Sequence, residues 1–590
     1  MKINLLGNGA IAMGAIAAGV GFAAGYPGTP STEILETLKS NENAKDIHIE
    51  WSTNEKAAVE AGAGAAYSGV RTLVTMKQVG LNVASDPVMC LSYIGVKGGM
   101  VIVSADDPGP ISSQTEQDTR SFGAYAHLTV LDPSSPEEAY EMTKYAFELS
   151  EKLSRPVILR PTTKVCHASA TVDVTDEVYA VSPDGFVKDP KWVIFPPLSY
   201  KRHIENFKIY NNLGECSYNR VITAETDIGI VTGGVTTAIV TDVLTDLGVK
   251  VNRLTVGRPY PFPTTEAAAF AAGLTKILVL EELDPFIEEQ LERIVKTPIC
   301  GKYSEHVPAA GELKYENVKN IICNFLGINA PETVSVNSNV TLPTRAPVLC
   351  AGCPHRASFY AVKLASKGKK AVYCGDIGCY TLGNAKPLET TDTCLCMGGG
   401  ITVAQGIKTA NPDTDVFSFI GDSTFFASGM TGVANAVYNK HNITICILDN
   451  RTTAMTGGQP HPGKGVTITG EETVHIDIAK VLTALNVGFV KECNPFELDS
   501  AVKTVTEAAE FPGVSAVVFK APCIAVSKKP CSYEVFDCIG CKRCINELGC
   551  PAISLAEEKA VIDPVMCYGC SICETVCKPG KIRMIGGLSV

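Results

Sequence analysis

Short apolar runs of strand length alternate with Ala- and Gly-rich helical stretches along most of the chain. This alternation is typical of parallel β-sheets covered by helices, because each parallel strand needs a crossover to reach the next. The pattern therefore predicts an α/β fold. It places strands at residues 72–76, 100–104, 156–160, 228–232, 277–281, 416–420 and 443–448.

Changes in composition divide the chain into six segments. In chain order these are an α/β block, a polar connector, a smaller α/β block, a polar linker, a third α/β block and a cysteine-rich tail, at residues 1–168, 169–224, 225–310, 311–345, 346–527 and 528–590. The apolar stretch 4–24 has only Lys2 ahead of it and leads into a Gly-Pro turn. We interpret it as a strand and a helix of the first block, not as a signal peptide.

The tail contains two runs in which cysteines recur at every third position. In two-cluster ferredoxins the first three cysteines of each run hold one 4Fe–4S cluster, and the fourth crosses to the other cluster. This rule predicts two ligand sets, Cys538, Cys541 and Cys544 with Cys577, and Cys567, Cys570 and Cys573 with Cys550. The first run is longer than usual before its last cysteine. A pair of zinc ribbons would instead need two well-separated C-x2-C pairs.

The composition of the chain indicates how many domains it can form, which compartment suits it and which partners it disfavours. The chain has 590 residues, of which 45% are hydrophobic, and this is enough for several domains with their own cores. It also has 23 cysteines, and thiolate ligands persist only in a reducing compartment, so we expect the cytoplasm. The formal net charge of −11 disfavours a nucleic-acid partner. No segment has the length and apolarity of a membrane span.

Two strands of the third block end in residue types that bind Mg²⁺. The runs continue into Gly421-Asp422-Ser423 and Asp449-Asn450. A glycine at a strand end lets a diphosphate approach the backbone, and the N–H groups of the following helix attract that anion. We therefore predict that Asp422, Asn450 and the carbonyl of Thr452 hold Mg²⁺ on a bound diphosphate. The alternative is that Asp422 only caps a helix.

This arrangement resembles the thiamine diphosphate signature, with Ser423 and Asp449 as departures that remove no metal ligand. A thiamine enzyme also needs a carboxylic group that hydrogen-bonds the aminopyrimidine ring, normally from a separate domain. Glu55, at the start of an Ala/Gly-rich helix, matches that residue, and Glu60 is the runner-up. Met397 matches the apolar residue that supports the bent form of thiamine, and plain core packing is its alternative.

Five further segments carry a wider resemblance. They are YPGTP at 26–30, KQVGLN at 77–82, DDPGPISSQTEQDTR at 106–120, CAGCPHR at 350–356 and GDIGC at 375–379. With the cysteine tail, they resemble the 2-oxoacid:ferredoxin oxidoreductases, in particular the large (alpha) subunits of the indolepyruvate group. The resemblance implies a pyrimidine-binding thiamine domain, a transketolase-C-like domain, a diphosphate-binding thiamine domain and a two-cluster ferredoxin-like domain.

The resemblance also implies an activity. In this family an arylpyruvate such as indolepyruvate reacts with coenzyme A to give an aryl-acetyl-CoA, CO₂ and reduced ferredoxin. A smaller beta subunit is the expected partner, in an α2β2 hetero-oligomer. Two alternatives remain: a non-oxidative thiamine-dependent decarboxylase, and an electron-transfer or scaffold subunit whose thiamine fold is inactive.

Further site residues follow from the resemblance alone. Thr29, Arg120 and His355 are candidates for binding the substrate carboxylate, and His355 is also a cofactor-site candidate. Relatives hold a cluster near the thiamine with a C-x2-C, a later Gly-Cys and a distant cysteine. The residues that fit this pattern are Cys350, Cys353, Cys379 and Cys523. They are either ligands of a third cluster or small buried residues that line the cofactor pocket.

Overall fold

The computed structural model describes residues 1–175, 177–179, 183–211, 213–330, 346–528 and 531–585. The chain divides into two compact units, Met1–Asn337 and Ser338–Val590. Among the described residues, no helix has both the length and the apolar character that crossing a membrane requires.

The first unit contains a six-stranded parallel sheet. Its strands, in spatial order, are His48–Trp51, Phe22–Gly25, Thr72–Lys77, Met100–Ala105, Val157–Leu159 and Val130–Leu131. The central strands are buried, as expected when helices cover both faces of a parallel sheet. The associated helices are Gly7–Ala17, Thr32–Ser40, Glu55–Tyr67, Gln78–Val83, Ser85–Ile94, Thr119–Ala126, Pro136–Leu153 and Thr163–His167, with a 3₁₀ turn at Glu42–Ala44. The three strands predicted in this block are confirmed.

The N-terminal stretch forms a strand and a helix, as predicted. Strand Lys2–Leu6 pairs antiparallel with Ser169–Asp173. The predicted connector 169–224 therefore begins with a strand that belongs to the first block. It also contains a short 3₁₀ turn, Pro190–Trp192, and a helix, Pro196–Asn211. Residues 176, 180–182 and 212 of the predicted connector lie outside the described residues.

A second, five-stranded sheet completes the first unit. In spatial order its strands are Ile299–Cys300, Lys276–Leu280, Ile228–Gly233, Asn252–Val256 and Arg220–Ile222, the last of which is antiparallel. Its helices are Thr236–Leu247, Thr264–Ala271, Phe286–Glu292 and Tyr315–Leu326. The predicted linker 311–345 contains a helix, Tyr315–Leu326. This helix is part of the fold because Val318, Ile322 and Phe325 form an apolar face that packs into the core. Residues 331–345 of that linker lie outside the described residues.

The second unit is built on a five-stranded parallel sheet. In spatial order its strands are Ala371–Cys374, Asp415–Gly421, Thr444–Asp449, Ser515–Lys520 and Phe489–Cys493. The helices are Pro354–Ala365, Gly399–Ala410, Asp422–Thr424, Met430–Tyr438, Ile478–Ala484 and Leu498–Glu510, with a π-helical turn at Phe425–Gly429 and 3₁₀ turns at Cys379–Asn384, Ala454–Thr456 and Ile524–Val526. Both strands predicted here are confirmed.

The cysteine tail packs into the same unit. It has two antiparallel strand pairs, Ser532–Val535 with Ile582–Ile585 and Ile553–Ala556 with Lys559–Ile562, and two short helices, Arg543–Leu548 and Ile572–Val576. Tail residues Leu548 and Ile572 share one hydrophobic core with Phe359 and Val505 of the sheet and its helices. The tail is therefore part of the fold of this unit. Residues 529–530 and 586–590 of the predicted tail lie outside the described residues.

Candidate functional site

The predicted metal residues meet at one edge of the second unit's sheet. Strands Asp415–Gly421 and Thr444–Asp449 are parallel neighbours, so the residues that follow them lie side by side. The Asp422 carboxylate accepts hydrogen bonds from the backbone N–H groups of Asn450 at 3.1 Å and Arg451 at 2.7 Å. Asp422 and Asn450 are both buried. The structure thus brings together two of the side chains for which the sequence predicts Mg²⁺ binding.

Thr452 continues this turn. Its N–H donates to Oδ1 of Asn450 at 3.1 Å, which holds the amide side chain in place. Thr453 Oγ1 contacts Ser423 Oγ at 3.1 Å and joins the two strand ends. One carboxylate, one amide oxygen and one backbone carbonyl form the oxygen-rich donor set that Mg²⁺ prefers. These residues therefore fit a diphosphate-bound Mg²⁺, with the Thr452 carbonyl as a predicted ligand.

Gly421 is needed for a reason that the sequence did not indicate. A Cβ at this position would lie 2.4 Å from the Tyr380 ring. The Tyr380 hydroxyl in turn lies 2.8 Å from Thr424 Oγ1. The missing side chain thus admits an aromatic ring that packs against the strand end.

Two buried histidines flank the Asp422–Asn450 pair. His355 Nε2 lies 3.2 Å from Nδ2 of Asn450, and burial lowers the pKa of His355 to about 4. The ring is therefore neutral at physiological pH and accepts the amide hydrogen. His461 Nε2 lies 3.1 Å from Oδ2 of Asp422. Sequence reasoning missed His461, whose only signal is a histidine between two prolines in a loop.

Asp376 is a second residue that sequence reasoning left without a role. It is fully buried, and its Oδ1 accepts hydrogen bonds from the N–H groups of Ile377 at 2.8 Å and Gly398 at 2.7 Å. Its Oδ2 has no hydrogen-bond partner among the described residues. Burial raises the pKa of Asp376 to about 7. The sequence feature that could have indicated a role for Asp376 is its position in the segment GDIGC at 375–379.

Asp376 also fixes the loop that carries Met397. Gly398, which follows Met397, donates to the aspartate, and the Met397 carbonyl accepts a hydrogen bond from Ser428 Oγ at 3.1 Å. Met397 itself is half-buried, so it is not a plain core residue. Its role as a support for thiamine stays a prediction.

Negative charge accumulates around the Asp422 edge. Burial, followed by the nearby Asp422 carboxylate, raises the pKa of Asp449 to about 6. Together with Asp422 and Asp376, this makes three carboxyl groups that face mainly backbone N–H donors. Such a site favours a divalent cation, because the cation neutralises carboxylates that burial otherwise destabilises.

Glu55 and Glu60, the two candidates in the first unit, have different surroundings. Glu55 begins helix Glu55–Tyr67, is buried, and has a pKa raised to about 7 by burial, with Lys77 acting in the opposite direction. A Cβ on Gly80 would lie 2.5 Å from Glu55 Oε1, so the glycine makes room for this carboxyl group. Glu60 is exposed and pairs with Lys56. Of the two residues, Glu55 is therefore the one whose pKa suits proton exchange near neutral pH, and its catalytic role stays a prediction.

Arg120, a predicted substrate residue, is enclosed by carboxylates and carbonyls of the first unit. Its side chain is 1% exposed, and its guanidinium pairs with Asp118 at 2.6 Å and Glu281 at 2.8 Å. It also donates to the carbonyls of Glu282 and Asp284. A guanidinium enclosed in this way is a structural ion-pairing group within the first unit.

Thr29 has a different environment from Arg120. It is half-buried, and its carbonyl accepts a hydrogen bond from Ser112 Oγ at 3.2 Å. A contact between Thr29 and a substrate carboxylate stays a prediction.

The four upstream cysteines lie close together in the second unit. The N–H of Cys353 donates to the Cys350 carbonyl at 3.2 Å. Burial raises the pKa of the Cys379 thiol to about 11, and the nearby thiols of Cys523 and Cys350 add to the shift. Cys523 donates its N–H to the carbonyl of Asn450 at 3.0 Å. We name these four residues the upstream cysteine group, and it adjoins the Asp422–Asn450 edge.

The tail cysteines line two cavities. The first cavity is lined by Cys538, Cys541, Cys544 and Cys577 among others. The second cavity is lined by Cys550, Cys567, Cys570 and Cys573 among others. Each set is the one that the crossing rule predicts, so these residues fit two iron–sulfur clusters. Among the described residues, no three His, Cys, Asp or Glu side chains are grouped to hold a single metal ion.

Comparison with known proteins agrees with this arrangement. Residues 13–195 match the family model for pyruvate flavodoxin/ferredoxin oxidoreductase, thiamine diphosphate-binding. Residues 376–519 match the model for the C-terminal thiamine pyrophosphate-binding domain of thiamine pyrophosphate enzymes. These matches confirm the predicted α/β domains of thiamine-binding type in the first and third blocks.

Curated relatives match over almost the whole chain. The indolepyruvate oxidoreductase subunit IorA of Methanothermobacter thermautotrophicus is 39% identical, over 99% of this chain and 98% of that protein. The subunit IorA of Thermococcus kodakarensis is 41% identical, over 98% of this chain and 96% of that protein. Among solved structures, a 2-oxoglutarate:ferredoxin oxidoreductase from Magnetococcus marinus is 18% identical, with a TM-score of 0.46 over 55% of this chain and 65% of that chain.

Proposed function

Because the chain belongs to the family of indolepyruvate oxidoreductase IorA subunits, we propose that it oxidatively decarboxylates 2-oxoacids with thiamine diphosphate and passes the electrons to ferredoxin. The proposed substrates are arylpyruvates, indolepyruvate among them, and coenzyme A accepts the acyl group. The products are an aryl-acetyl-CoA, CO₂ and two electrons. A smaller beta subunit completes the enzyme in an α2β2 hetero-oligomer, and a cytoplasmic location is part of the proposal because thiolate ligands persist only in a reducing compartment.

Thiamine diphosphate, when bound, supplies the carbon nucleophile and the electron sink for decarboxylation. In this proposal Asp422, Asn450 and the Thr452 carbonyl hold Mg²⁺ on its diphosphate. His355 keeps the Asn450 side chain oriented by accepting its amide hydrogen. Glu55 exchanges a proton with the aminopyrimidine ring, a task suited to a buried carboxyl group whose pKa is about 7.

One observation carries the oxidative reading: the upstream cysteine group adjoins the Asp422–Asn450 edge through the hydrogen bond from Cys523 to Asn450. We infer that this group holds a third 4Fe–4S cluster beside the cofactor. Tyr568, between ligands of the second cavity, packs on the backbone of Gly352 and donates its hydroxyl hydrogen to the carbonyl of Ile524. The second cavity is therefore next to the upstream group.

The first cavity fits the exit of the electron path. Its ligand Cys541 is exposed, and its lining residue Ile539 is 65% exposed. We propose that electrons pass from the upstream group to the second cavity, then to the first cavity, and from there to ferredoxin. A non-oxidative decarboxylase would have no use for such a row of cysteine sets.

The test is anaerobic purification of the full chain with its beta subunit. We expect one thiamine diphosphate and about twelve irons per chain, since three four-iron clusters are proposed. Arylpyruvates with coenzyme A should reduce a viologen dye. CO₂ release without dye reduction would support the non-oxidative alternative, and a protein without thiamine would support the inactive-subunit alternative.

A pair of variants tests the third cluster by itself. Cys379→Ser should lower the iron content by about four per chain, because it removes one ligand of the upstream group. Cys493→Ala is the matched control, since this half-buried cysteine belongs to none of the three sets. Equal iron content in both variants would show that the upstream cysteines only line the pocket.

A further inference from the structure

Arg356 is a buried cation whose partners are almost all backbone carbonyls. It is 6% exposed and lies in the first turn of helix Pro354–Ala365, three residues after Cys353. Nη1 donates to the carbonyls of Leu548 at 2.5 Å and Gly549 at 2.9 Å, and Nη2 donates to that of Leu349 at 2.6 Å. The described residues place no carboxylate within ion-pair distance of this guanidinium.

One N–H group of this side chain remains unused. Arg356 Nε is buried and has no hydrogen-bond partner among the described residues. A buried donor without an acceptor costs about 1–3 kcal/mol, so such a group normally has a partner of some kind. The guanidinium as a whole also lacks a counter-charge, and a buried charge is costly without one.

The missing partner is indicated by the cavity that Arg356 lines. Arg356 forms part of the wall of the second cavity, together with its four cysteines. Among the described residues of that wall it is the one lysine or arginine, and none of them is an aspartate or glutamate. An iron–sulfur cluster held by four thiolates would supply both a negative charge and sulfur acceptors at this place.

The first cavity has a different set of cations. Lys542, Arg543 and Lys581 line it. Lys542 pairs with Glu558 and Arg543 pairs with Glu547, and the two cationic side chains are 36% and 38% exposed. The charges of Lys542 and Arg543 are compensated by carboxylates and screened by solvent, so these two side chains act only weakly on a cluster.

We propose that Arg356 Nε donates an N–H···S hydrogen bond to the iron–sulfur cluster of the second cavity and raises the reduction potential of that cluster. The proposal rests on the proposed function, which places a cluster there. Reduction adds negative charge to the cluster. A fixed positive charge and a hydrogen bond therefore stabilise the reduced form more than the oxidised form. Arg356 is in this sense a positioning residue that makes the second cluster a ready electron acceptor.

The test is a redox titration of the full chain with its beta subunit, followed by electron paramagnetic resonance. Iron content is measured first, because a wild-type protein without tail clusters would contradict the proposed function and not the role of Arg356. The signal of the second cavity is assigned in a Cys541→Ser background, which removes a ligand of the first cavity. Arg356→Gln should shift the reduction equilibrium of the second cluster at least tenfold toward the oxidised form, or about 59 mV for one electron.

Two further variants complete the design. Arg356→Lys keeps the charge but lacks the Nε–H group, so its potential should lie between those of the wild type and Arg356→Gln. If Arg356→Gln does not retain its clusters, the lysine variant decides the question. Arg543→Gln is the matched control at the first cavity and should leave the second potential unchanged. A wild-type potential in Arg356→Lys and in any cluster-containing Arg356→Gln protein would overturn the proposal and leave Arg356 as a tether for the tail.

Discussion

Both units bury charged side chains, but the partners of these side chains differ. In the first unit, Arg120 and Arg160 are enclosed by carboxylates at 2.6–3.1 Å; these are Asp118 and Glu281 for Arg120, and Asp106 and Asp132 for Arg160. In the second unit, Asp376, Asp422 and Asp449 accept backbone N–H groups. None of these three has a lysine or arginine within ion-pair distance in the described part of the chain.

The difference distinguishes a structural ion network from a binding site. Carboxylates that contact guanidinium groups have their cations within the protein, and removing either partner leaves an unpaired buried charge. Carboxylates that face mainly backbone N–H dipoles, with no lysine or arginine partner, have capacity left for a cation from solution. Arg120 has the surroundings of the first class and Asp422 those of the second; a substrate contact of Arg120 and a metal contact of Asp422 stay predictions.

The largest effect is expected at Asp422. Asp422→Ala should weaken binding of Mg²⁺ and thiamine diphosphate by 100-fold or more and abolish turnover, because it removes the one carboxylate ligand. The cofactor-free protein should keep its tail clusters, since the tail cysteines line separate cavities. Calorimetric titration with the cofactor and a thiamine count provide the measurement. Full cofactor occupancy would contradict the assignment.

A substitution of Glu55 tests the proposed role of a buried carboxyl group that acts on the cofactor without holding the metal. Glu55→Gln should bind thiamine diphosphate normally but lower turnover by about 10²- to 10⁴-fold, as expected for lost acid–base catalysis. Exchange of the cofactor C2 proton, followed by NMR after rapid quenching, should slow in parallel. Glu60→Gln is the control on the same helix and should behave as the wild type. Normal exchange in Glu55→Gln would rule out this role.

A substitution of Arg120 tests whether the buried ion pairs of the first unit stabilise the fold. Arg120→Met should lower the free energy of unfolding of the first unit by about 3–5 kcal/mol, because Asp118 and Glu281 lose their shared cation. Folded protein should keep its KM for the 2-oxoacid. Thermal denaturation and steady-state kinetics measure the two properties. Unchanged stability with a much higher KM would instead restore the substrate role.

The smallest expected effect is a dependence of stability on pH. A carboxyl group whose pKa is raised on folding binds protons more tightly in the folded state, so its contribution to stability decreases as pH rises through that pKa. For Asp376, with a pKa of about 7, the loss between pH 6 and pH 8 is about 1 kcal/mol. Asp376→Asn should remove this part of the slope in cofactor-free protein. An identical slope in the variant would show that Asp376 titrates outside this range.

Much of the fold and part of the site could be predicted because the relevant signals are local. Each buried strand is a continuous apolar run, so runs such as 72–76 and 443–448 were found without knowledge of their neighbours. Asp422 and Asn450 follow two such strands, and the carboxyl ends of parallel strands meet at one edge of a sheet. The tail cysteines are closely spaced, and their crossing pattern follows from cluster geometry, so each predicted set lines one cavity.

Only the tertiary structure shows which residues from distant loops come into contact. Residues Asp118 and Arg120 are neighbours in sequence, but only the packing of the second sheet brings Glu281 to Arg120 and encloses it. His461 reaches Asp422, and Cys523 reaches Asn450, through loops that have no periodic pattern. The sequence by itself determined the strands and indicated which residues are candidates for the metal and cluster ligands. The tertiary structure decided which charged groups are paired within the protein and which have capacity left for a ligand. The electrostatic and desolvation energies of these groups depend on surroundings that form only when the chain folds.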